Sequence, residues 1–250
     1  MDIIFGRNAV KAAIKSGRPL DKIFAVKELS DPSVREILGI AAGSRIPVIR
    51  VDKRKLDSLT LPHGYGGKPA NHQGIVAVAA AKEYGTLEDL FALAQSKGEP
   101  PFIIILDGIT DEGNLGSIIR SAEVLGAHGV IMSKRRSASL SPAAYKASSG
   151  AAEHLPVVKV TNINVTINTL KDKGVWIVAA DTSGQSADGL NLKGPIAIVI
   201  GAEGSGISRL VLESCDLRAS IPMKGQTGSL NAAVAAAVLM YEKTRQDRQQ

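Results

Sequence analysis

The chain is predicted to fold as α/β, with a small α/β unit ahead of a larger one built on a parallel sheet. Three observations predict it. Short β-branched runs alternate with stretches of helical period along the length of the chain. The later runs, Phe102-Ile103-Ile104-Ile105-Leu106 and Ile196-Ala197-Ile198-Val199-Ile200, are apolar throughout, the pattern of parallel strands buried on both faces. Glycine-rich or polar segments follow these runs, where ligands bind in open parallel sheets.

The first third opens with Arg7 to Lys15, whose Ala9, Val10, Ala13 and Ile14 have helical spacing. Lys22–Val26 and Pro47–Val51 read as strands. Asp31-Pro32-Ser33 starts a helix that Gly43 stops, and Lys53 to Leu59 forms another. Ile75 to Ala81 closes a unit expected to be a parallel-leaning sandwich. His63 to Gly74 is rich in turn formers and is expected to be a mobile loop. Its two histidines lack cysteine or acidic companions at ligand spacing, so no metal site is expected. Residues 1–81 are thus read as one domain, 82–101 as a linker that contains a short helical stretch, and 102–250 as a second domain.

In the second domain a helix is expected from about Leu115 to Leu125, capped by Asn114, with Arg120 in its second turn among Ile118, Ile119 and Ala122. Gly129–Met132 is a strand ending in Lys134-Arg135-Arg136, three cations able to hold phosphates. Ser141-Pro142 opens a helix through Tyr145 and Lys146. Val157–Val160, Ile163–Lys173 and Val175–Ala179 continue the alternation, and Thr182 follows the last of these strands. The strand from Ile196 runs into Gly201-Ala202-Glu203-Gly204-Ser205-Gly206. A short helix, a strand ending at Ile221-Pro222-Met223 and a turn then lead to Ser229-Leu230-Asn231 at the head of an Ala-rich helix. The glycines permit close approach of backbone to a ligand. Ile221, Met223 and Leu230 offer apolar surface for an aromatic base. Glu203, with no cation near it in sequence, is expected to pair with Arg120.

Composition narrows the function. The net charge of +6 lies wholly in residues 1–80, with 13 Lys+Arg against 7 Asp+Glu, whereas residues 81–250 carry 17 of each. That asymmetry points to a polyanion bound by the first third. Aromatics, at 4%, are too few for an extended base-stacking platform, which leaves phosphate and shape recognition. A single cysteine, Cys215, excludes a disulfide framework and reads as a small buried thiol in a reducing compartment. No apolar run approaches the ~20 residues that span a bilayer, and the start has no signal-peptide pattern, so a cytoplasmic protein without membrane attachment is expected. A dinucleotide-binding oxidoreductase is disfavoured. Its glycine fingerprint belongs after an early strand, and Glu203 stands where it requires glycine.

Asn114-Leu115-Gly116-Ser117-Ile118-Ile119-Arg120, Gly201-Ala202-Glu203-Gly204-Ser205-Gly206 and Ile221-Pro222-Met223 through Ser229-Leu230-Asn231 resemble, in order and spacing, the three motifs of the SpoU (TrmH-like) RNA ribose 2′-O-methyltransferases. Phe5-Gly6-Arg7-Asn8-Ala9-Val10 and His72-Gln73-Gly74-Ile75-Val76 resemble the family's substrate-binding domain, which is similar to ribosomal protein L30e. The likeness is nearest to the branch that modifies a guanosine of 23S ribosomal RNA. It implies an L30e-like first domain, a trefoil-knotted SPOUT methyltransferase domain, S-adenosyl-L-methionine as cofactor and a homodimer. It also implies that Gly201, Ile221 and Leu230 surround the cofactor; Met223, from its apolar surface, and Thr182, from its place after a strand, are expected to join them, and Arg7, Lys134, Arg135 and Arg136 are expected to meet RNA. Arg120, Asn114, Glu203, Ser229 and Asn231 would do the chemistry. Glu112 stands where the family often has proline, and Gly228 and Ala233 where it often has serine. Because a guanidinium is effectively never deprotonated, Arg120 is read as a cation that stabilises the developing alkoxide and orients a phosphate. The other readings are a transfer-RNA methyltransferase and a non-catalytic RNA-binding assembly factor of the same fold.

Overall fold

In the computed structural model, which describes residues 2–27, 31–64, 66–80 and 83–249, the chain divides into two units. The first comprises Met1–Glu83 and Leu140–His154; the second comprises Tyr84–Ser139 and Leu155–Gln250.

The first unit holds a four-stranded sheet of β1 (Asp2–Phe5), β2 (Leu20–Val26), β3 (Val48–Val51) and β4 (Ile75–Ala79), in the order β1-β4-β2-β3. Only β2 and β3 run parallel; β4 is antiparallel to both of its neighbours, so the parallel-leaning expectation is corrected to a mixed sheet. Helices α1 (Arg7–Lys15) and α2 (Pro32–Gly43) bury Val10, Ile14 and Ile37 against Ile4, Ile23 and Ile75 on one face. Asp31 caps α2 by accepting from Ser33 N at 2.9 Å. On the other face α3 (Lys53–Thr60) lays Leu56 against Phe5 and Val76. The end of the 63–74 loop is pinned. The buried His72 ring accepts from Gly74 N through Nδ1 at 3.0 Å and meets Asp57 through Nε2 at 3.1 Å. This histidine is spent on the fold. Tyr65, in the same loop, lies outside the described residues.

The second unit begins with α4 (Leu87–Lys97), closed by a Thr86–Asp89 capping box. Its Leu90 is fully buried in the second unit's core, so much of the segment expected to be linker is part of this fold. There follow β5 (Phe102–Asp107), α5 (Glu112–Val124) and β6 (Gly129–Ser133). The chain then enters the first unit as α6 (Pro142–Ala147), which lies against β1. Arg18, nearly buried, holds that segment: it donates to Asp2, to Ala80 O and to Glu153, and its guanidinium stands 4.9 Å over the Tyr145 ring. Back in the second unit come β7 (Val157–Val160), α7 (Ile163–Asp172), β8 (Trp176–Ser186), β9 (Ile196–Gly201), α8 (Arg209–Glu213), β10 (Leu217–Ser220) and α9 (Ala232–Asp247). The six strands, ordered β10-β8-β9-β5-β6-β7, are parallel throughout. One face packs Ile103, Ile105 and Val199 against α4, α7 and α8, and α5 and α9 pack together on the opposite side. All strand carboxyl ends therefore lie at one edge, where polar loops gather.

His128, 1% exposed, links two of these elements: Nδ1 accepts from Phe102 N at 3.0 Å and Nε2 faces Glu99 at 3.0 Å. Burial pushes its pKa below the ordinary imidazole value, outweighing the attraction of Glu99. The unfolded chain therefore binds a proton first as pH falls, and stability drops from about pH 6.5 downward until the folded pKa is reached. Thermal melts should show a shallower acid-side decline for His128→Gln than for the native chain.

Candidate active site

The site forms where β9 ends, beside the stretch of β8 that has left its pairing with β9. Gly201, the last residue of β9, pairs with Asp107 of β5. Beyond it the chain turns back on itself, with Ala202 N donating to Gly206 O at 3.1 Å and Gly206 N to Ala202 O at 2.9 Å. The turn needs left-handed backbone at Gly204 (φ 83°) and Gly206 (φ 68°). A Cβ at Gly201 would lie 2.2 Å from the Gly206 carbonyl carbon, so the strand end and the turn touch backbone to backbone. Asp107 fixes the far side of the turn by accepting from Ser208 N at 2.7 Å.

This turn, the middle of β8 at Ala180–Thr182 and the chain from Ile221 to Leu230 enclose a cavity of about 580 Å³; Thr182, expected after the strand, stands inside it because β8 runs on to Ser186. Thr182, Gly201, Ile221, Met223 and Leu230 all line it, as do Glu203 and Ser229. Met223 and Leu230 are 39% and 40% exposed, an apolar surface left open at the cavity mouth. An apolar wall, backbone groups at a glycine turn and a few polar side chains suit an adenosine-like cofactor with a charged tail. Asp181, one of the polar residues that follow the apolar 175–179 run, is also in the lining; its carboxylate accepts from Ser183 N and Oγ. Asp107 was missed, although an acid between a buried strand and Gly108 is a recognisable signal.

Beside the cavity, three side chains from three elements close on one another. Asn231 caps α9, its Oδ1 accepting from Ala233 N (3.0 Å) and Val234 N (3.2 Å). That assignment turns its Nδ2 towards Asn114 Oδ1 (3.0 Å) and Glu203 Oε1. Asn114 in turn donates Nδ2 to Glu203 Oε1 at 2.9 Å. Glu203 thus joins two asparagines and, at 3.4 Å, the Ala232 N–H. Two expectations are corrected here. The N-cap of α5 is Asp111, which accepts from Asn114 N at 2.7 Å; Asn114 stands inside the first turn, and its side chain is free for Glu203. Glu203 does not pair with Arg120: among the described residues the exposed Arg120 side chain has no hydrogen bond or ion pair. Arg120 lies one turn from Ser117 on α5, and Ser117 one turn from Asn114.

Lys134, Arg135 and Arg136 are exposed on a loop at the carboxyl end of β6. The loop is stiffened by Ser133 and Ser137 hydroxyls bonded to the main chain. Arg7, in the first unit, is occupied by an ion pair with Asp31. Cys215 has its thiol pushed up to about 11 by burial and donates to Val211 O, so it is neutral and chemically quiet at physiological pH.

Two family models match the chain: the SpoU rRNA Methylase family over residues 101–241, and RNA 2′-O ribose methyltransferase substrate binding over residues 3–85. The chain is similar to YacO of Bacillus subtilis, which is named for the TrmH family of tRNA/rRNA methyltransferases. The two are 42% identical over 246 residues, 98% of this chain and 95% of that protein. A Staphylococcus saprophyticus protein named for the same family is 43% identical over 245 residues, 97% of this chain and 95% of its own. Among solved structures, the SpoU methyltransferase AviRb of Streptomyces viridochromogenes in complex with AdoMet superposes with a TM-score of 0.79 at 28% identity, covering 99% of this chain and 91% of that one.

Proposed function

The chain belongs to the SpoU methylase family, and from that premise we propose that it methylates a ribose 2′-hydroxyl of RNA, that of a guanosine in 23S ribosomal RNA. It is a methyltransferase that depends on S-adenosyl-L-methionine. The observation that carries the reading is the clasp of Asn114, Glu203 and Asn231 beside the glycine-built cavity, with an unpaired arginine on the same helix as Asn114.

Gly201, Thr182, Ile221, Met223 and Leu230 would hold the cofactor, which supplies a methyl group already activated on a sulfonium. What remains for the protein is largely alignment and charge. A guanidinium is a cation and not a base, so the part of Arg120 is to stabilise the oxygen that becomes negative and to hold a neighbouring phosphate. Both Nδ2 protons of Asn231 are spent, on Asn114 and Glu203, so Asn231 is a positioning residue. Asn114 has one Nδ2 proton left after its bond to Glu203 and is the donor that reaches the ribose. Glu203 orients this amide rather than the arginine, and the Ser229 hydroxyl adds a polar group at the cavity wall. The same reading gives the methyltransferase domain, residues 102–250, the family's trefoil knot and puts the enzyme in the cytoplasm, where its RNA is. No helix among the described residues is long and apolar enough to cross a membrane.

A second copy of the chain is proposed to cover the neighbouring groove. Val234, Val238 and Tyr241 of α9 are 49%, 40% and 57% exposed and line an open groove with Asn114 and Ser117; Val124 of α5 is 70% exposed. Contiguous apolar surface of this kind marks an interface. Light scattering should give a dimer for the native chain and a monomer with much reduced turnover for Val238→Asp. A monomeric native chain would remove the dimer from the reading.

The target is tested by mapping ribose methylation in RNA from cells with and without the gene. Loss of one 2′-O-methylguanosine from 23S RNA is expected. Loss from a transfer RNA instead would move the substrate, and no loss at all would leave an RNA-binding factor without catalysis.

A further inference from the structure

The positive charge of the first unit is concentrated. Residues 45–56 contain five cations, Arg45, Arg50, Lys53, Arg54 and Lys55, against one acid, Asp52. They fall on the edge strand β3, on the approach to it and on the first turn of α3. Lys53, Arg54 and Lys55 are all exposed; Lys53 stands 3.8 Å from Asp57 one turn on, a loose pair that leaves its side chain largely in solvent. Helix stability does not explain them. The first turn is the positive end of a helix and favours acids, yet α3 has none there. The Asp52 side chain makes no capping bond and stands 3.2 Å from Lys27 instead. Blunting of a sheet edge explains a cation such as Arg50 on β3, but not a run of three on the adjoining helix.

A second observation lies on the sheet face that carries α3. Phe24 and Val51 pack with Leu56 on that face, whereas Val48 packs on the other, so strand alternation puts Ile49 beside Phe24. The two are register partners in β2 and β3. Ile49 is 41% exposed and Phe24 only partly buried, and the Lys22 ammonium stands 5.9 Å from the Phe24 ring centroid. The face thus shows an open apolar shelf with an aromatic ring beside Lys22, and the helix that packs on the same face begins with Lys53, Arg54 and Lys55. Single-stranded RNA is recognised by this combination, phosphates on cations and a base on a ring.

We propose that a single-stranded stretch of the RNA substrate crosses this face, its phosphates held by Lys53, Arg54 and Lys55 and a base laid over Phe24 and Ile49. The proposal rests on the reading that the enzyme acts on RNA. It assigns the substrate a seat away from Arg7, whose charge is engaged by Asp31.

The test uses the full-length protein and a fluorescently labelled single-stranded RNA of mixed sequence, with affinity measured by anisotropy over a series of salt concentrations. The triple variant Lys53→Gln, Arg54→Gln, Lys55→Gln should flatten the log–log salt slope by about 2, as loss of three single-strand phosphate contacts requires, and weaken binding about tenfold or more near physiological salt. A dispersed variant with equal charge loss, Lys15→Gln, Lys97→Gln, Lys193→Gln, should change the slope by less than half as much. Phe24→Leu, which keeps an apolar side chain in the fold, should weaken binding severalfold and leave the slope unaltered. Melting temperature and cofactor affinity should match the native chain in the two charge variants. If the clustered variant binds no more weakly than the dispersed one, or loses affinity only together with its melting temperature, the seat is not here, while RNA binding by the native chain still stands. A native chain that binds this RNA without salt dependence, or not at all, would overturn the seat and the RNA reading together.

Discussion

Arg120→Ala is expected to lower turnover by about 10²–10³-fold, the usual loss when one preorganised charge or donor aimed at a developing oxyanion is removed. The argument starts from what this side chain lacks. It is exposed, and among the described residues no carboxylate neutralises it. Its charge is therefore available to substrate. Removing it should cost the fold little, because no buried partner is left behind. Arg120→Lys should recover part of the rate, since a point charge stabilises an alkoxide but lacks the planar fork that grips a phosphate. Single-turnover methylation assays check the rate, and calorimetry with the cofactor should give the native affinity for both variants. Near-normal turnover in the alanine variant would remove both roles given to the arginine.

Gly201→Ala should abolish most cofactor binding. The new methyl group would sit 2.2 Å from Gly206 C and 2.3 Å from Ile207 N, both main-chain atoms that no rotamer change can move. Either the strand end or the turn must shift, and overpacking of this kind costs about 1–3 kcal/mol, occasionally more. Both segments line the cavity, so the displacement falls on the binding surface, and a loss of that size corresponds to roughly ten- to a hundredfold in affinity. Gly228→Ser is the contrasting variant. Gly228 also lines the cavity, but nothing lies within 4 Å of the position a Cβ would take, so its stability should stay within about 0.5 kcal/mol of the native chain. Calorimetric titration and thermal melts distinguish the two. Native-like cofactor affinity in Gly201→Ala would mean the turn is not the cradle.

Much of this was legible before any coordinates. A five-residue, β-branched apolar run such as Ile196–Ile200 is too short for a helix of its own and reads as a doubly buried strand, and the loops that follow such strands are the natural place for a ligand. The misreadings have physical causes. Asp111 and Asn114 are both good caps within one turn of each other, and only the hydrogen bond from Asn114 N decides for Asp111. That choice has a functional side, because a cap asparagine would have spent its oxygen on its own helix. Glu203 was paired with the cation that the sequence offered, since an amide has no charge to advertise; the carboxylate instead collects two amides and a main-chain N–H. Strand β1 escaped notice because its four residues bury only Ile4 and Phe5. The direction of β4 escaped because strand polarity leaves no trace in a hydrophobic pattern.

The membership of Leu140–His154 in the first unit bears on how the molecule is made. A nascent chain emerging from the ribosome has all four strands of the first sheet by residue 80, yet the helix that lies against β1 and the acid that meets Arg18 arrive some sixty residues later, after β5 and β6 of the other unit. Neither unit can be translated to completion before the other has begun. A fragment ended at residue 83 would strip α6 from β1 and leave Arg18 without Glu153, so this enzyme should resist the modular exchange of front and back halves that a single joint would permit.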